Sequence, residues 1–165
     1  MPIRRLTLLA LYTTIALTLF VAEAQIPVPV PIPGVKLGLS NIVTLAALLF
    51  LGRKEAGLIL TARILLGALL IGVPSMILFS AAGGLLAFLV MAPAVKLLPR
   101  AQIWVVGILG AIAHNTGQLL MAVVYLRTTT VLLFAPMLLL SAIITGCITG
   151  LAAKQLLRYE SWLAR

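Results

Sequence analysis

The sequence predicts an all-α, polytopic membrane protein: six transmembrane helices forming a single integral membrane domain over residues 1–165, with both chain ends in the cytoplasm. Three observations predict it. The composition is 63% hydrophobic and only 9% charged, with a mean hydropathy of +1.25, whereas soluble domains are about half apolar and about a quarter charged. The apolar residues fall into blocks that approach the roughly 20 residues a helix needs to cross a bilayer. The twelve Lys and Arg stand in ones and twos between those blocks. That spacing is loop charge, so the net charge of +9 points to a lipid bilayer and not to nucleic acid.

The first block, 6–24, follows Arg4 and Arg5. It imitates a secretory signal, because Ala22-Glu23-Ala24 before Gln25 resembles an A-x-A cleavage site. Retaining it as a span keeps Glu23 beside the proline-rich stretch that follows, and sequencing the mature N-terminus decides between the two. In that stretch Pro27, Pro29, Pro31 and Pro33 each fix φ and lack an N–H, which forces extended backbone. Gly34 and Gly38 permit the turns after it. The segment reads as a stiff lid or wall, set with Glu23 at its start and Lys36, Ser40 and Asn41 at its end. Irregular backbone at membrane depth lines a cavity or lies inside protein.

The second block, 39–51, is short, and needs tilt or a contribution from residues 34–38 to cross. The third, 56–72, holds Arg63 deep within it. The fourth is 75–98 and the fifth 103–126, and the fifth carries His114, Asn115 and Gln118. The sixth, 131–157, contains Cys147, the one cysteine, which excludes an intrachain disulfide and reads as a small buried hydrophobe.

Basic residues test this count, since they accumulate on the cytoplasmic side of short loops. With the N-terminus inside, the inner segments hold Arg4, Arg5, Arg53, Lys54, Lys96, Arg100, Lys154, Arg158 and Arg165, and the outer ones only Lys36 and Arg127. Removing the short second span would reverse every later loop and spoil the asymmetry.

Polar side chains inside spans are costly and mark cavities or partners. Arg63 lies too deep to snorkel easily, so it meets an anionic ligand, Glu23, or backbone carbonyls. His114 and Gln118, four apart, share a helix face, while Asn115 points about 100° away. The first two suit a ligand, and Asn115 suits a ligand or a bridge to a neighbouring helix. No metal site is expected, as His114 is the sole histidine.

The run Ile26 to Leu45, I-P-x-P-x-P-I-P-G-V-K-L-G-L-x-N-I-V-T-L, resembles the Gx transporter family. Ala62–Gly67, Ser80–Leu85, Gly110–Gln118, Thr145-Gly146 and Thr149–Ala152 continue the likeness along the chain. Members often carry the label heptaprenyl diphosphate synthase component I, and the family is similar to substrate-binding (S) components of energy-coupling factor (ECF) transporters. The resemblance implies an S-component-like bundle in the bacterial inner (cytoplasmic) membrane, coupled to a transmembrane subunit and ATPases. Small residues on the first helix dock such a subunit in S components. The candidates here, Ala10, Ala16 and Ala22, depart from the A-x-x-x-A spacing.

Prenyl diphosphate synthases hold Mg²⁺ and diphosphate with clustered carboxylates. This chain has no aspartate, and Glu23, Glu55 and Glu160 are far apart. No G-x-x-x-x-G-K-[ST] loop is present either, so ATP hydrolysis would reside elsewhere. The expected function is therefore non-enzymatic and cofactor-free: capture of a small hydrophobic or amphipathic molecule from the outer face. Lys36, Asn41, Arg63, His114, Asn115 and Gln118 are the candidate ligand contacts. The alternative is a membrane anchor for a soluble enzyme of prenyl or quinone synthesis.

Overall fold

The structure, a computed structural model, describes residues 3–26, 35–73 and 75–163. Pro27, Pro29, Pro31, Pro33 and Gly34, the expected lid, lie outside the described residues. The described residues form six α-helices, in order α1 (Ile3–Ala24), α2 (Asn41–Phe50), α3 (Arg53–Ile71), α4 (Ser75–Leu97), α5 (Ile103–Leu126) and α6 (Ala135–Leu163). Short 3₁₀ turns at Arg100–Gln102 and Thr130–Phe134 lead into α5 and α6. Among the described residues four helices, α1, α4, α5 and α6, are long and apolar enough to cross a membrane, so the chain is a multi-pass membrane protein. Helix α3 has 19 residues but begins with Arg53-Lys54-Glu55 and carries Arg63.

The second block departs most from expectation. Its helix has ten residues, which at about 1.5 Å of rise per residue covers about 15 Å, half of a hydrocarbon core of roughly 30 Å. Residues 35–38 above it are non-helical, and a turn at 39–40 leads into α2. The sequence placed the helix start at Leu39. The structure starts it at Asn41, because the N–H groups of Asn41, Ile42 and Val43 bond three residues back, to Gly38, Leu39 and Ser40. This half-helix is the hub of the bundle: seven of its residues are buried, and it touches each of the other five helices.

Helices α4, α5 and α6 pack as consecutive antiparallel neighbours along glycine seams. A Cβ on Gly107 of α5 would stand 2.5 Å from the Gly146 carbonyl oxygen of α6, and one on Gly117 would stand 2.5 Å from that of Ala82 on α4. Backbones in membranes approach this closely only where side chains are missing. On α1, Ala16, Phe20 and Glu23 share the buried face, at the i, i+4, i+7 spacing of one helix side. Ala16 is thus core, whereas Ala10 and Ala22 are exposed.

Two apolar clusters bracket a polar layer. One joins Ala16, Leu45, Ile59, Met91, Val106 and Ala153, and the other joins Val35, Phe79, Leu119, Ala122, Val131 and Leu138. Between them lie buried Glu23, Lys36, Asn41, Arg63, His114 and Gln118. The ends differ in charge. Arg5 pairs with Glu55, and Arg53 donates to the Ala92 carbonyl, 2.8 Å away, so the starts of α1 and α3 and the end of α4 share one basic end.

Candidate functional site

Non-helical backbone in a membrane core must find hydrogen bonds within the protein, and residues 36–38 find theirs among side chains of three helices. The Lys36 N–H donates to Gln118 Oε1 of α5 at 3.1 Å, and the Gly38 N–H donates to Glu23 Oε1 of α1. The Thr145 hydroxyl of α6 lies 3.4 Å from the Leu37 carbonyl oxygen. Glu23 thereby sets a carboxylate against the backbone N–H groups of the turn entering α2, where donors aim at an anion. Gln118 and Glu23, read from sequence as ligand and lid residues, are engaged in holding this crossover.

Lys36 turns inward. Its Nζ lies 3.2 Å from the centroid of the Phe20 ring and donates to the Phe20 carbonyl at 3.3 Å, a cation–π contact strengthened by desolvation. The Arg63 guanidinium carbon is 5.6 Å from the same ring. Phe20 is thus a shared platform for two cations. No sequence signal singled it out, since an aromatic in an apolar span is unremarkable. Its own position is fixed by Gly67, where a Cβ would fall 2.7 Å from Phe20 Cε1.

Arg63 and His114 are cradled by adjacent glycines of α4. A Cβ on Gly84 would meet Arg63 Nη2 at 3.1 Å, and one on Gly83 would meet His114 Nδ1 at 2.9 Å. From the other side, a Cβ on Gly38 would meet both Asn41 Nδ2 and His114 Cδ2 at 2.9 Å. Glycine thus removes bulk on both sides, and Asn41, Arg63, His114 and Glu23 converge. Glu23, Lys36 and Arg63 lie within electrostatic reach of one another.

Several polar atoms of this group are buried without a partner among the described residues: Glu23 Oε2, both side-chain heteroatoms of Asn41, Nε and Nη2 of Arg63, and Nδ1 of His114. Buried polar groups in native proteins are nearly always hydrogen-bonded, and an unpaired one costs about 1–3 kcal/mol. Arg63 is only 1% exposed. If all are ionised, Glu23 and Lys36 balance in charge and Arg63 is in surplus.

Asn115 faces elsewhere. Its Nδ2 donates to the Leu138 carbonyl of α6 at 2.8 Å, the bridging role open to it in the sequence. Asn115→Ala is expected to lower stability in detergent by about 0.6 kcal/mol, up to roughly 1.7, as interhelical hydrogen bonds do. Thermal unfolding would measure it, with ligand affinity unchanged.

Glu55 lies at the basic end, paired with Arg5, far from Glu23 in the polar layer. Among the described residues no group of three or more His, Cys, Asp and Glu is gathered. A family model described as heptaprenyl diphosphate synthase component I matches residues 12–156, a range that holds the whole polar layer. Neither the curated proteins nor the solved structures gave a match. On this match across most of its length, the chain belongs to the heptaprenyl diphosphate synthase component I family.

Proposed function

We propose that the chain is a membrane substrate-binding subunit, one integral domain that takes a small hydrophobic or amphipathic anion from the outer face of the bacterial cytoplasmic membrane for uptake energised by separate ATPase subunits. One observation carries this reading: Arg63, buried with two nitrogens that find no partner among the described residues, in a layer whose other charges balance. A cation is expensive there and pairs when it can. An anionic group of the ligand supplies the missing partner. Asn41 and His114 orient it, and the crossover at Lys36–Gly38 closes the outer side. The family name favours an isoprenoid precursor, an anion with an apolar tail, over quinone or flavin precursors.

Mass spectrometry of small molecules co-purifying with the protein would identify the ligand. The molecule found, added back at 100 times its Kd, is expected to stabilise the protein by about 2.7 kcal/mol, and His114→Ala is expected to reduce that stabilisation. A protein with no co-purifying anion and no ligand-dependent shift would refute the reading. The family name supports a second reading, an anchor for a soluble synthase component. Retention of a synthase through affinity purification, without any small-molecule shift, would favour it.

A further inference from the structure

At the basic end, the last turn of α2, the first turn of α3 and the last turns of α4 line a cavity of about 300 Å³. Leu48, Ala92 and Val95 give it an apolar wall, and Arg53, Lys54 and Lys96 give it three cations. Glu55 also lines it, but its carboxylate is paired with Arg5, so positive charge prevails. Arg53 is fixed by one nitrogen on the Ala92 carbonyl, which leaves the remaining donors of its planar fork for an oxyanion.

The location narrows the anion. This end carries Arg5, Arg53, Lys54 and Lys96, the pattern of a cytoplasmic membrane surface, and basic pockets between helices there suit lipid phosphates. An aqueous anion has no use for the wall of Leu48, Ala92 and Val95, whereas an amphiphile covers it. We propose that this cavity binds the phosphate headgroup of an anionic phospholipid of the inner leaflet, with the start of an acyl chain against the apolar wall. The site is separate from the polar layer around Arg63.

Delipidated full-length protein in neutral detergent, probed with phosphatidylglycerol, phosphatidylcholine and inorganic phosphate, tests it by native mass spectrometry and thermal unfolding. Phosphatidylglycerol is expected to stay bound and raise Tm, and the other two are not. The double variant Lys54→Ala/Lys96→Ala should cut phosphatidylglycerol retention at least fivefold with lipid-free Tm unchanged. Equal retention of phosphatidylcholine, full retention by the double variant, or saturation by inorganic phosphate alone would overturn the proposal. So would binding of a poly-glutamate peptide in place of either lipid, which would mark a protein-docking surface.

Discussion

Arg63→Met is expected to make the ligand-free protein more stable and the ligand-bound protein weaker. The side chain is 1% exposed, and its Nε and Nη2 have no partner among the described residues. Replacing buried ionic groups by apolar ones of similar volume is often neutral or stabilising by about 1–4 kcal/mol, because their desolvation is relieved. The usual danger, stranding an opposite charge, is small here. With Arg63 gone, Glu23 still has Lys36 nearby and the Gly38 N–H on its carboxylate. Ligand affinity should move the other way. Losing the cation from a buried ion pair costs about 2–5 kcal/mol, at least a tenfold weakening. Thermal unfolding of wild type and variant, with and without the co-purified ligand, measures both. A lower Tm for the ligand-free variant would mean that Arg63 holds the helices together, and the proposed function would lose its main support.

The same polar layer shows where sequence reasoning was sufficient. Blocks 75–98 and 103–126 appear as α4 and α5 within a residue, because a long, mainly apolar run satisfies its backbone in lipid only as a helix, even with Pro93 inside the first and the polar stretch 114–118 inside the second. The third block begins at Arg53, three residues early. Arg53, Lys54 and Glu55 add a helical turn beyond the apolar stretch, with Glu55 favoured in the first turn. The costly residues Arg63 and His114 could be named in advance, since their burial is improbable without a reason. What could not be read was which polar residues serve the backbone. Gln118 and Glu23 accept from Lys36 and Gly38, pairings 82 and 15 residues apart that no periodicity encodes. Phe20 was missed for the same reason, since its role depends on Lys36 arriving above it from another segment.

Gly38 should be the least replaceable glycine of the layer. Its φ is +84°, where a side chain costs about 1–2 kcal/mol. A Cβ would also press on Asn41 Nδ2 and His114 Cδ2 at 2.9 Å. Both neighbours are buried, at 4% and 2% exposure, and His114 is bounded on its far side by Gly83, so neither has room to retreat. Overpacking of this kind adds about 1–3 kcal/mol. Gly38→Ala is therefore expected to cost about 2–5 kcal/mol in detergent unfolding and to abolish ligand stabilisation, because a shifted backbone pulls its N–H from Glu23. Gly72 supplies the control. Its φ is +71°, but no described residue lies within 4 Å of a Cβ built there, so Gly72→Ala carries the conformational cost of about 1–2 kcal/mol alone and should leave binding intact. The difference between the two variants isolates close approach from backbone strain. Equal losses would mean that the crossover above α2 does not press against Asn41 and His114, and the convergence of polar groups on one site would not hold.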